Sequence, residues 1–195
     1  MAITTEQIKA LRDRTGVSVM QCKKALEEAG GDADRALVIL QKKSKSVADK
    51  KSDRELGSGV VAAYVHSNHS VGAMVELACE TDFVAKNDEF KALAYEIAMH
   101  VAAMNPEFLS SADITEKAHE TAKSVFEEEV KDKPKDLQEK ILEGKMQSYF
   151  ADKVLLEQAY IKDGDKKIAD LISEATQKFG ERTQIIRYTR FSILG

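Results

Sequence analysis

The sequence predicts an α+β protein: an N-terminal three-helix module, a linker, then a core with a three-stranded antiparallel sheet, covering helices and a helical hairpin. Three observations predict it. Residues 1–43 carry apolar positions at helical spacing, interrupted by glycines. Residues 60–79 hold two apolar, partly β-branched runs separated by turn residues. Residues 183–194 alternate again after a long helical, charge-rich stretch.

The first module follows from its caps. Thr4 with Gln7 forms a capping box ahead of Ile8 and Leu11, and Gly16 ends that helix. Ser18, with Gln21, starts a second helix whose inner face is Val19, Cys22, Ala25, Leu26 and Ala29. Gly30 and Gly31 stop it, and Asp32 caps a third helix with Ala36, Leu37 and Leu40 inward. Helices this short are marginal alone, so they must pack on one another. Residues 44–56 are charged and read as a solvated, partly helical linker. The expected division is residues 1–54 for module and linker and residues 55–195 for the core.

In the core, Val60–His66 and Val71–Cys79 form a β-hairpin around Ser67-Asn68-His69-Ser70. Asp88 caps a long helix with Phe90, Leu93, Ala94, Ile97, Ala98 and Val101 on one side, ended by Asn105-Pro106. Residues 112–160 form a helical hairpin with its corner at Pro134, in which Ala118, Val125 and Val130 face Leu137, Ile141 and Met146. Lys166–Phe179 is a further amphipathic helix, and Thr183–Leu194 is the third strand. So small a sheet has a second face to protect, and a second copy of the chain would cover it.

The 195-residue chain carries 32% charged residues, a net charge of −4 and a pI of about 5.7, which excludes a strongly basic nucleic-acid binder. The lysines around Lys42, Lys43, Lys45, Lys50 and Lys51 are interleaved with Asp49, Asp53 and Glu55 and lack aromatics for stacking. Two cysteines, Cys22 and Cys79, form no CxxC pair and read as small buried residues. The first residues are polar and periodic, unlike a signal peptide, and no run is long enough to span a bilayer. The expected compartment is the cytoplasm.

Catalytic templates are missing: no GxGxxG, Walker A, HExxH or GxSxG run occurs. His66 and His69 flank the hairpin turn and read as surface histidines, with half a metal site as the alternative. His100, late in its helix, reads as a cation or donor near the terminal carbonyls, and His119 as solvated. Glu127-Glu128-Glu129 reads as a solvated helix face. The unusual feature is Thr81-Asp82-Phe83-Val84, which sets a large apolar ring beside a carboxylate in a connection between strand and helix. On the residues alone two readings stand: Phe83 tucks into the core, or it is an exposed aromatic anchor for a partner.

Two long motifs bear on that choice: Leu11-Arg12-Asp13-Arg14-Thr15-Gly16-Val17-Ser18-Val19-Met20-Gln21-Cys22-Lys23-Lys24-Ala25-Leu26, and Glu76-Leu77-Ala78-Cys79-Glu80-Thr81-Asp82-Phe83-Val84-Ala85-Lys86-Asn87. With Ala98–Pro106, Glu143–Met146 and Ile186–Phe191, in that order, the chain resembles the elongation factor Ts family over essentially its whole length. Ala78 stands where the family often has Asn, and Ser18-Val19-Met20 where it often has Gly-Met-Met. A single core copy resembles the short members, which form homodimers.

The resemblance implies a guanine nucleotide exchange factor without catalytic residues, cofactor, bound metal or nucleotide site of its own. Its implied partner is elongation factor Tu, with no membrane or nucleic acid. Thr81, Asp82, Phe83 and Val84 are the implied contact that displaces Mg2+ in the partner. Phe83 is the wedge and Asp82 its polar companion, while Thr81 and Val84 shape the loop. The N-terminal module resembles ubiquitin-associated folds, with Arg12, Met20 and Lys23 as its candidate contacts. The competing readings are a ubiquitin-type binding module on a structural dimer, and a hydrolase using His66 and His69.

Overall fold

The computed structural model describes residues 3–131 and 133–193. Its helices are α1 (Thr5–Thr15), α2 (Val19–Glu28), α3 (Ala33–Lys50), α4 (Asp82–Ala85), α5 (Asp88–Met104), α6 (Glu116–Val130), α7 (Lys135–Ala151) and α8 (Ile168–Phe179). Its strands are β1 (Ser58–Val65), β2 (Val71–Cys79), β3 (Ala159–Tyr160), β4 (Asp163–Lys167) and β5 (Gln184–Ser192). The main sheet is antiparallel in the order β1-β2-β5, so the last strand of the chain pairs with the second strand of the hairpin. The α+β class is as the sequence predicts. Leu194, expected at the end of the third strand, lies outside the described residues.

Two compact units divide the chain. One takes the chain as far as Ala62, then Glu76–Ala94 and Asp170–Ile186; the other takes Ala63–Val75, Tyr95–Ala169 and the chain from Arg187.

In the first unit the three N-terminal helices close on Leu11, Val17, Cys22, Ala25, Leu26, Ala29, Ala36 and Leu40, all buried. Truncating Leu11 or Leu26 to Ala there costs about 2–5 kcal/mol, the lost transfer energy plus the cavity. The Thr4–Gln7 capping box is complete, with both reciprocal hydrogen bonds present. Ser18 makes only half of one: its hydroxyl accepts from Gln21 N–H. Val19, expected inward, is exposed, and Val17 just outside the helix is buried in the cluster. Gly16 and Gly30 take φ of +67° and Gly31 +91°, a backbone that a side chain would strain. The expected linker is helical as far as Lys50, and Ser44 within it is buried.

Along β2, Ala73, Val75, Leu77 and Cys79 are buried at alternate positions, the period-two pattern of a strand with one covered face. The hairpin turn closes with His66 N–H donating to Val71 O, and His69 sits in it at φ +56°.

In the second unit α6 and α7 form the expected hairpin, with a different seam. Val125 and Leu137 are exposed; Ala122, Met146 and Phe150 are buried, with Phe126 and Leu142 packed against them. The apolar positions facing inward recur every four residues (Ala118, Ala122, Phe126, Val130), which keeps them on one stripe of a short straight helix. His119 is exposed but stacks on Phe150, ring centroids 6.1 Å apart. The helix expected from Lys166 starts at Ile168, because residues 159–167 form the small β3–β4 hairpin, pairing Ala159 with Lys167 and Tyr160 with Asp163.

Of the two alternatives for His100, a cation or a donor near the terminal carbonyls of its helix, the cation does not hold. The ring is fully buried; Nδ1 accepts from Ile161 N–H, so Nε2–H donates to Gln158 Oε1 at 3.0 Å. Gln158 in turn donates to Asp152 O at 2.7 Å. Burial pushes the imidazole below its ordinary value, so it stays neutral. The cation at the end of α5 is Arg190, whose Nε–H donates to Ala102 O at 3.0 Å.

Candidate partner-binding site

Thr81, Asp82, Phe83 and Val84 lie where β2 leaves the sheet and turns into α4. Thr81, extended at φ −127°, is the residue before the helical turn. Ala85 N–H donates to Thr81 O and Lys86 N–H to Asp82 O, closing the turn. Thr81 is held from outside the turn as well. Its N–H donates to Glu181 Oε2 at 2.9 Å and its hydroxyl to Glu181 Oε1 at 2.5 Å. The Cys79 thiol, pushed up by burial and then by Glu181, donates to Thr81 O at 3.2 Å. Just before it, Glu80 accepts from Arg54 at 3.0 Å and from Arg182 N–H at 2.6 Å. Arg182 itself donates to Arg54 O at 2.5 Å.

The inward side of α4 is Val84 and Ala85, both buried. Phe83 points the other way and is 82% exposed. The core reading of Phe83 is thereby excluded for this structure. Asp82, also exposed, pairs with Lys86 at 2.5 Å, and this hydrogen bond and charge hold its carboxyl below the usual range. The exposed surface of the turn is therefore a ring beside an ionised carboxylate and its lysine. α5 begins immediately after, capped by Asn87 rather than Asp88: Asn87 Oδ1 accepts from Glu89 N–H at 2.8 Å. Asp88 and Glu89 instead occupy the first turn, where acidic groups suit the helix dipole.

Of the module residues, Met20 is 69% exposed beside exposed Val19. Lys23 is exposed and lies 3.9 Å from Glu27 one turn on. Arg12 is exposed on the last turn of α1. No hydrogen bond or ion pair joins Arg12, Met20 or Lys23 to residues 81–84 among the described residues.

α8 and the residues just after it carry most of the supporting contacts, which no motif in the sequence marks. Gln177 donates to Gln21 on α2 at 2.9 Å, Lys178 to Glu89 at 2.7 Å, and Gly180 O accepts from Lys51 at 2.6 Å. Lys45 adds an ion pair to Asp170 at 3.0 Å. Gln177 and Gly180 thus bind the three-helix module, and Glu181 and Arg182 the Thr81 turn and the residues before it, at the C-terminal end of α8, while Asp170 pairs with the module from its first turn. The available signal was Gly180, φ +72°, followed by an adjacent acid and base in a chain otherwise returning to strand.

Among the described residues no group of three His, Cys, Asp or Glu side chains is placed to hold a metal ion. His66 Nδ1 lies 2.9 Å from the Tyr64 hydroxyl, so the ring's neighbour is a phenol and not a second ligand. No described helix is long and apolar enough to cross a membrane.

Comparison with known proteins matches residues 43–194 to the family model described as elongation factor TS. Elongation factor Ts of Thermotoga petrophila is 47% identical over 193 residues, spanning 99% of this chain and 97% of that protein. The Thermodesulfovibrio yellowstonii protein of the same name is 45% identical, over 99% and 97% of the two chains. That of Herpetosiphon aurantiacus is 43% identical, over 99% and 98%.

Proposed function

The chain belongs to the elongation factor Ts family and is a translation elongation factor, and from that premise we propose that it is the guanine nucleotide exchange factor of elongation factor Tu. The supporting observation is the exposed Phe83 on a turn anchored by buried Val84 and by Glu181. In this reading Phe83 enters the nucleotide-binding domain of Tu as a wedge and Asp82 pushes on the neighbouring groups. Mg2+ requires near-ideal octahedral ligands, so a small displacement of its ligands in Tu weakens GDP. GDP leaves, and GTP then displaces the factor.

Magnitudes fit this role. Burying a Phe ring contributes roughly 1.5–3 kcal/mol. Each tenfold loss of GDP affinity requires about 1.4 kcal/mol of differential interaction, so Phe83 alone accounts for one to two factors of ten. The N-terminal module, through Arg12, Met20 and Lys23, supplies further docking energy. Coupling is reciprocal: GDP weakens the factor by the ratio in which the factor weakens GDP. The factor makes and breaks no covalent bond, needs no cofactor, and binds neither nucleotide nor nucleic acid directly. It works in the cytoplasm, with residues 1–54 as the docking module and residues 55–195 as the core and dimerisation domain.

The experiment is stopped-flow release of labelled GDP from Tu. Phe83→Ala slows the stimulated release at least roughly tenfold while the circular dichroism spectrum is unchanged. An unchanged release rate overturns the wedge reading.

A further inference from the structure

We propose that Glu181 is a positioning residue for exchange, holding the Thr81–Val84 turn in the orientation that presents Phe83. The inference rests on the wedge reading above and adds a residue one hundred positions away in sequence.

Among the described residues, Glu181 takes both donors of Thr81, the backbone N–H and the hydroxyl. One carboxylate oxygen takes the backbone N–H at 2.9 Å, the other the hydroxyl at 2.5 Å. A bidentate grip fixes direction as well as distance, because rotating the threonine breaks at least one of the two bonds. Thr81 is the residue from which α4 starts, and α4 is a single turn of four residues. Such a turn has no cooperative length of its own, so its direction is set by what holds its ends. The far end is fixed by buried Val84 and Ala85. The near end has the Cys79 thiol on Thr81 O and the Glu181 carboxylate on Thr81 N–H and Oγ. Phe83 lies between those two ends, 82% exposed.

Glu181 is itself held. It follows Gly180, whose N–H donates to Thr176 O and whose carbonyl accepts from Lys51. It precedes Arg182, whose N–H donates to Glu80 and whose guanidinium donates to Arg54 O and Gln184 Oε1. A Phe presented at the wrong angle must be reoriented on binding, and that ordering cost is subtracted from the wedge energy. Glu181 therefore acts through Phe83 and needs no contact with Tu.

The test is a double-mutant cycle on GDP release from Tu, with Glu181→Ala, Glu181→Gln, Phe83→Ala and the Glu181→Ala/Phe83→Ala pair, each checked for folding by circular dichroism. Losing the bidentate, charge-assisted grip lowers stimulated release roughly tenfold in Glu181→Ala. Glu181→Gln restores most of it, because its amide oxygen accepts from Thr81 N–H and its NH2 donates to the threonine hydroxyl. In the Phe83→Ala background, removing Glu181 has no further effect.

Three results overturn the proposal with the wedge reading intact: Glu181→Ala as active as wild type, an effect that persists in full without Phe83, or Gln as poor as Ala, which would make charge and not geometry the operative property. Should Glu181→Ala fail to fold, Thr81→Val, which removes the hydroxyl that Glu181 holds, takes its place: slowed release that is not additive with Phe83→Ala supports positioning, and wild-type release or an additive loss overturns it. Should Phe83→Ala itself leave release unchanged, the wedge reading fails and the positioning role fails with it.

Discussion

Phe83 and Val84 are neighbours in the chain and opposites in exposure, 82% against 4%, because one turn of helix aims them at solvent and at the core respectively. Their truncations should separate function from stability. Phe83→Ala leaves the denaturant midpoint within about 0.5 kcal/mol of wild type and slows nucleotide exchange. Val84→Ala lowers stability by roughly 1–2 kcal/mol through lost burial and the cavity. Urea titrations of the two variants, run beside the release assay, check the contrast.

Gly59 and Gly144 should respond oppositely to alanine. A Cβ on Gly59 would stand 2.5 Å from Leu77 O and 2.9 Å from Ala78 Cα, both backbone of the adjacent strand. Gly59→Ala therefore costs about 1–3 kcal/mol, since the strand pairing must shift to admit it. Gly144, in α7, meets nothing within 4 Å, so Gly144→Ala stabilises by roughly 0.5–1 kcal/mol. Thermal melts distinguish the signs.

Stability should fall with pH on the acid side of neutrality because of His100. Its folded-state value lies below the ordinary 6.5, lowered by burial, so the unfolded chain binds the extra proton first. The neutral ring's contribution is therefore complete above about 6.5 and is lost as pH falls from there towards the folded value. Protonation would also set an N–H against the Ile161 N–H that Nδ1 now accepts. In His100→Gln, midpoints measured across that window lose this part of the slope.

Lys86→Ala should raise the carboxyl value of Asp82 towards that of an ordinary aspartate, since the lysine is the main cause of its depression. Both groups are exposed, so the midpoint of unfolding does not change measurably. Side-chain carbonyl chemical shifts followed through an acid titration read the change directly.

A dimer at micromolar concentration is expected from light scattering. Phe191 and Ile193 are exposed on and beyond β5, and with Val65 and Met74 they line an open apolar groove. Single exposed apolar residues are ordinary, but a contiguous group of them suits a second copy of the chain. Phe191→Asp shifts the mass towards the monomer; a monomeric wild type sinks the proposal.

Much of the fold was legible because its signals are local. Caps at Thr4 and Asp32, glycines at 16, 30, 31 and 180, and the alternation along β2 are decided by backbone geometry and by which side chains sit next to each other in sequence. The sequence also singled out Thr81-Asp82-Phe83-Val84 as odd. What it left open was whether Phe83 is core or surface, since a ring in a short connection fits either. Burial depends on groups distant in the chain, and here Val84 and Ala85 take the buried positions of the turn while Glu181 grips Thr81 from one hundred residues on. The same reason explains His100, whose position near a helix end suggested a cation until Gln158 and Ile161 enclosed it. The local chain determined the turn and its unusual residues; only tertiary packing decided which way the turn points, because hydrogen bonds and desolvation are settled between elements that periodicity cannot connect.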